Sequence, residues 1–401
     1  MAEALYPSSL GSGTEEKLMS INPFDTKHST TVYSTVCAIV FCLFTFVYLY
    51  FYQADILSMA QHVLSGGVTQ YNRWVGAVLI TLVLQLVQTG VYALTGLREG
   101  RHALTYFPSV LILGIISSAS TRMDVSFSFG VWTWLLPLLL LVWGFGLYAA
   151  LKIPYGHPSS KGVLSGSMWV NVMSLCAMFF FVGLVGNSND VFHYRMKMEH
   201  CFIDGRYADA LAVGQRSEAT DSTLTMLRAY ALAREGQLGE RLFNYPVAGH
   251  SASLVPMPSG TRCVIYPVDS LYRFLGARPL STQTTRTYLE ALVKGRKATP
   301  VVKDYILCGC LLDRDIDSFA LLLPRFYRVD DNLPKHYREA LTLYNHLRSN
   351  PVVAYRNNVM ETDFNDLQTL EKQYATYGER KQAVFEQYAG TYWWYYEYGR
   401  R

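Results

Sequence analysis

The sequence predicts an all-α protein in two parts: a bundle of about five transmembrane helices over residues 31–187, then a soluble helical domain over residues 188–401. Three observations carry this. A helix needs about 20 mainly apolar residues to cross roughly 30 Å of hydrocarbon, and the first half holds five segments that meet or approach that length. Charge is nearly absent from that half and returns at ordinary density after it, so the mean hydropathy of +0.12 averages two unlike regions. Beyond residue 188, short apolar-periodic stretches alternate with Gly and Asp stops, the pattern of helices joined by tight turns.

Residues 1–30 are polar and hold Glu15, Glu16, Lys17 and Lys27. They lack the short basic start and small-residue cleavage site of a signal peptide, so the first span reads as a retained anchor. That span, 32–51, ends in Tyr48, Tyr50, Phe51 and Tyr52. The second is 75–94. The third, 103–120, is interrupted by Pro108; the fourth, 129–151, carries Trp132, Trp134 and Trp143; the fifth is 168–185. Tyr and Trp at span ends suit the membrane interface. Lys17, Lys27, Arg98, Arg101, Lys152 and Lys161 collect on one side, against Arg73, Arg122, Arg195 and Lys197 on the other. The positive-inside rule then expects a cytoplasmic N-terminus and an external C-terminal domain in a bacterial inner membrane. If the third segment were re-entrant or buried, that domain would move to the cytoplasm.

Between the first two spans, residues 54–65 read as an interfacial amphipathic helix. Ile56, Met59, Ala60, Val63 and Leu64 share one face, while Asp55, Ser58, Gln61, His62 and Ser65 share the other, and Gly66-Gly67 ends it. Its apolar face is expected in lipid or against the bundle. Ser58, His62 and Asp55 are the residue types of a nucleophile, base and orienter, but three residues along one helix seldom present triad geometry. The expectation is a solvated polar face and no catalytic residue. A candidate interfacial pocket would combine Asp55, His62, Arg73, Arg122 and Asp124. In the second span Thr81, Gln85, Gln88 and Tyr92 follow at helical spacing and share a face. Buried amides need partners, so this stripe should look into the bundle, with Asn171 a candidate partner. Interhelical hydrogen bonding is favoured over a polar pathway, since no Asp, Glu, Lys or Arg lies in a span core.

In the second half, Gly205-Arg206-Tyr207-Ala208-Asp209-Ala210 resembles the inter-helix turn of tetratricopeptide repeats. The resemblance implies that Gly205 permits the turn, Tyr207 fills the space between helices and Ala210 lets them approach. Gly236 recurs 31 residues later, near the family period of about 34, with Arg241 in place of the alanine. A third echo, Arg314-Asp315-Ile316-Asp317-Ser318-Phe319, has no glycine. A different array of helical hairpins is the structural alternative. Residues 244–264, with Pro246, Pro256 and Pro258, read as a long ordered loop. The terminal run Tyr392-Trp393-Trp394-Tyr395-Tyr396-Glu397-Tyr398 is too apolar for a free tail. A closing cap on the helical array is favoured over docking at the membrane interface. Together with residues 53–73 the run is similar to a family of bacterial multi-pass proteins of unassigned function, which implies no mechanism.

A net charge of +4 without any basic tract excludes a nucleic-acid partner. Of seven cysteines, Cys37, Cys42 and Cys176 lie in apolar helices. Cys308 and Cys310 form a C-x-C pair without a second pair, a poor zinc signature. No metal or cofactor is expected. The reading is a membrane-anchored scaffold whose helical domain meets a protein or peptide partner, with the lipid bilayer as its other partner. An enzyme or transporter handling a lipid-linked or glycan substrate is the alternative.

Overall fold

The computed structural model describes residues 23–97, 99–119, 130–152, 165–257 and 260–399. Among the described residues every regular element is a helix. They divide into two compact units. The first gathers the described residues of Met1–Tyr52, Arg73–Ser118 and Phe129–Gly186; the second gathers those of Gln53–Asn72, Ala119–Ser128 and Asn187–Arg401.

Chain order begins with α1 (Pro23–Val47), which continues through a π-helical turn to Tyr52, then α2 (Ala54–Leu64) and α3 (Arg73–Thr95). A 3₁₀ stretch, Glu99–Tyr106, leads into α4 (Phe107–Ser117), followed by α5 (Trp132–Lys152) and α6 (Gly166–Val185). Four of these helices are long and apolar enough to cross a membrane: Thr31–Tyr52, α3, α5 and α6. The third apolar segment, expected over 103–120 with an interruption at Pro108, is a 3₁₀ stretch followed by a short α-helix. Pro108 sits in the first turn of α4, where its missing N–H and fixed φ start an α-helix instead of interrupting one. The eleven residues of α4 rise only about 16 Å. The eight preceding 3₁₀ residues add about 16 Å at their steeper pitch.

Side-chain contacts fix the directions within this unit. Cys42 Sγ donates to Gln85 Oε1 at 3.6 Å and the Phe46 and Trp74 rings lie 5.1 Å apart, so α1 and α3 are antiparallel. Gln88 Nε2 donates to Thr105 Oγ1 at 2.8 Å, and Ser109 Oγ to the Leu84 carbonyl at 2.7 Å, so the 3₁₀–α4 segment retraces α3. Trp143 Nε1 donates to the Leu104 carbonyl at 3.1 Å and Trp132 Nε1 to Ser118 Oγ, so α5 is antiparallel to that segment. Tyr33 meets Ser165 at 3.0 Å and Tyr48 donates to the Val182 carbonyl at 3.4 Å, so α6 runs parallel to α1. Gly114 marks the closest approach: a Cβ there would lie 3.3 Å from both Trp132 and Val185.

The second unit holds α2 and α7 (Asp190–Ile203), α8 (Tyr207–Ala212), α9 (Ser222–Arg234), α10 (Leu238–Arg241), α11 (Val268–Leu275) and α12 (Thr285–Lys294). It continues with α13 (Val302–Leu312), α14 (Ile316–Phe326), α15 (Lys335–Leu347), α16 (Asn358–Lys372), α17 (Tyr377–Tyr388) and α18 (Tyr392–Tyr398). Side-chain caps begin many of them: Asn189, Asp221, Thr284, Asp315, Asn357, Thr376 and Thr391 each accept a backbone N–H of the first turn. Several helix ends share one device. Gly205 and Gly236 sit at φ 72° and 68°, and the next residue donates back across the turn, Arg206 N to the Cys201 carbonyl and Gln237 N to that of Leu232. Arg314 does the same at φ 57°, with Asp315 N donating to the Cys310 carbonyl. The third echo therefore keeps the left-handed turn without the glycine. The proline-rich loop carries Leu254 and Val255 into the core, and Tyr392, Trp393, Tyr395 and Tyr398 of α18 are buried with them.

Helix α2 packs differently from the expectation of lipid or bundle. Ile56 and Met59 close against Phe192 and Met196 of α7 and against Ile265, all in the second unit. Leu64, assigned to the same face, is exposed. The amphipathic pattern specifies an apolar face but not which surface covers it.

Candidate functional site

A groove of about 570 Å³ runs across α12, α13 and α14 in the second unit. Its apolar lining comes in pairs one helical turn apart: Leu289 and Val293, Ile306 and Cys310, Leu322 and Phe326. A residue and its i+4 neighbour share a face, so each helix gives this stripe to the groove and another to the core. Gly309 lets the loop approach, since a Cβ there would meet Ser251 Cβ at 3.3 Å. Charged groups flank the stripe. Asp313 accepts from Ser251 N at 2.9 Å and from Ser251 Oγ at 2.5 Å, and Arg286 pairs with Glu290 at 3.2 Å. Burial pushes the Cys310 thiol up to about 11, which keeps it protonated and unreactive at neutral pH.

A second arrangement lies where α2 meets α7. Asp55 and Ser58, expected on a solvated face, are 2% and 5% exposed. His193 Nδ1 lies 3.1 Å from Asp55 Oδ2, its Nε2 lies 3.2 Å from the Asn187 carbonyl, and Ser58 Oγ lies 2.9 Å from His200 Nε2. Buried polar groups must be paired, and the pairing histidines come from α7 instead of from His62. On the next face of α7, Glu199 is fully buried and accepts the backbone N–H groups of Val264, Ile265 and Tyr266 at 2.7–2.9 Å through Oε2. Burial outweighs those three donors and pushes its carboxyl up to about 7.

The expected interfacial pocket draws its residues from both units and from outside the described residues. Asp55 and His62 belong to the second unit and Arg73 to the first, while Arg122 and Asp124 lie outside the described residues. His62 packs on Gly67, where a Cβ would come within 3.3 Å of its ring. The stripe of the second span does face inward. Thr81 and Gln88 are buried, and Gln85 Nε2 donates to Gln88 Oε1 at 2.9 Å. Asn171 is not its partner: Asn171 Oδ1 accepts from Ala103 N at 2.8 Å and its amide donates to the Ser167 carbonyl at 2.9 Å, which ties α6 to the 3₁₀ stretch. That stretch also brings His102, 1% exposed, between the rings of Tyr92 and Tyr106 at 5.0 and 5.8 Å.

At the repeat turn, Tyr207 packs against Phe202 and Tyr230 with the Arg234 guanidinium 4.6 Å above its ring, and Ala210 is fully buried.

A family of unknown function, DUF6057, matches residues 128–277 and 275–399, well over half of the chain. The chain belongs to that family. No curated protein and no solved structure matches it.

Sequence reasoning missed His193, His200, Glu199 and the groove. His193, Met196 and His200 stand at i, i+3 and i+7, a readable shared face on α7. The groove also left a trace, because α12–α14 each carry more apolar residues than one buried stripe requires.

Proposed function

We propose that the chain is a membrane-anchored scaffold: a five-pass bundle in a bacterial inner membrane holds a tetratricopeptide-like helical unit that binds an extended segment of a protein partner. The groove across α12–α14 carries the reading, because stacked helical hairpins bind partners on concave surfaces without a catalytic constellation. The left-handed joints after α7, α9 and α13 support the repeat relation, with glycine in two and Arg314 in the third. A photo-crosslinking side chain at Leu322, within the groove, should give discrete protein adducts in native membranes. The same probe at exposed Val359 on α16 should not. Equal labelling at both positions would sink the groove reading.

One observation favours the alternative, an enzyme or transporter acting on a lipid-linked or glycan substrate: Ser58 and His200 stand at nucleophile–base distance. Under the scaffold reading Ser58→Ala leaves partner crosslinking intact. Accumulation of a lipid-linked intermediate in cells carrying Ser58→Ala, with the protein folded and abundant, would replace the scaffold by the enzyme.

A further inference from the structure

Resting on the groove reading above, we propose that its occupant is an extended peptide segment of about five residues, apolar in the middle, with an acidic residue at one end and a basic residue at the other. The groove is electrostatically polar along its length. Ser251 binds Asp313, and Thr285 Oγ1 donates to the Ala252 carbonyl at 2.7 Å, so the start of α12, the end of α13 and the 251–253 turn meet at one end. Asp315, the cap of α14, lines the groove beside them. At the other end Tyr327, just past α14, donates to Asp304 in the first turn of α13 at 2.7 Å. There Lys294 closes α12 and Arg325 closes α14, and both line the same cavity.

Neither cation has an ion-pair partner among the described residues, whereas Arg286 is paired with Glu290. A cation near a helix C-terminus favours its own helix. That accounts for each residue separately, but not for their convergence over one cavity.

From Asp315 to Arg325 the helix rises about 15 Å, which an extended chain covers in about five residues at roughly 3.3 Å each. The pairs Leu289–Val293, Ile306–Cys310 and Leu322–Phe326 face the middle of that span. An acidic side chain fits the Lys294–Arg325 end and a basic one fits Asp313 and Asp315, and opposite pairing across an interface fixes the direction of the bound segment.

The test is selection from a random displayed-peptide library on the full chain in nanodiscs, with three proteins: wild type, Lys294→Glu/Arg325→Glu, and Leu322→Arg. Wild type should enrich sequences with an acidic and a basic residue four to five positions apart around apolar ones. The best of these should bind the charge-reversed protein at least about tenfold more weakly, and that protein should select basic residues at the former acidic position. Enrichment that Leu322→Arg abolishes but that shows no charge pattern overturns this inference and leaves the groove reading standing. Enrichment indifferent to Leu322→Arg, or none above empty nanodiscs, overturns both.

Discussion

Arg296 and Arg314 both sit in the left-handed region, at φ 52° and 57°, where a Cβ costs about 1–2 kcal/mol. They differ in what the side chain returns. Arg314 Nη2 donates to the carbonyls of Tyr395 and Gly399 at 3.0 Å each, and its guanidinium lies 4.9 Å from the Tyr395 ring. Arg296 is exposed at a helix end. Arg296→Gly should therefore stabilise the chain by about 0.5–1 kcal/mol, while Arg314→Gly should lower its Tm despite relieving the same strain. Thermal unfolding of the two variants in one detergent checks the opposite signs. Glu199 makes the second residue-scale prediction. Its carboxyl is raised from the ordinary 4.5 to about 7, so the folded state binds the proton more tightly than the unfolded state. The contribution to stability is full below about 4.5 and is lost as pH rises through about 7. Wild type should thus lose stability relative to Glu199→Gln between pH 5 and pH 8, by an amount of order 3 kcal/mol. Parallel slopes for the two proteins would refute the assignment.

Among the elements, α18 and α2 show what a sequence pattern can and cannot specify. The aromatic run was legible as a buried element because its residues are too apolar to stay in water. Its anchors were not, since Glu339 is distant in sequence: its Oε2 accepts from Tyr392 N at 2.7 Å and its carbonyl from Trp393 Nε1 at 2.7 Å. The α2 pattern gave the apolar face, but Asp55 and Ser58 looked solvated because the histidines that pair them lie more than 130 residues away. The groove was hidden for a related reason: its three stripes are short and become one surface only when α12–α14 stack. Truncation before Thr391 exposes the sites of four buried rings, Tyr392, Trp393, Tyr395 and Tyr398. Each is worth about 1.5–3 kcal/mol, against a typical domain stability of about 5–15 kcal/mol. The truncated chain should unfold or lose most of its cooperative thermal transition, whereas Tyr396→Ala, at a half-buried ring, should change it little. An unchanged transition after truncation would reject the cap.

At the scale of the whole molecule, length and hydropathy were enough to find the four long apolar helices, because crossing hydrocarbon demands a run that no other element needs. The third segment was legible only in part: its apolar half, α4, stands out, whereas Glu99–Tyr106 holds Arg101 and His102 and looks like a loop. Its path becomes visible through long-range pairs. Gln88 with Thr105 and Leu84 with Ser109 keep a constant sum of residue numbers, as two antiparallel helices must, and Leu104 with Trp143 and Ser118 with Trp132 do nearly the same on the other side. The segment thus runs beside most of α3 and α5, and its combined rise of about 32 Å matches a hydrocarbon core of about 30 Å. Within the first unit α1, α3, the 3₁₀–α4 segment, α5 and α6 therefore alternate in direction, so that the start of α1, the end of α3 and the end of α5 lie at one end of that unit. Under the five-pass reading proposed above, the positive-inside rule makes that end the cytoplasmic one. Topology reporters inserted after Gly66 and after Gly186 should report the external face, and one after Gly96 the cytoplasmic face. Reporters at 96 and 186 that share a face would show that the 3₁₀–α4 segment enters and leaves on one side, leaving four crossings.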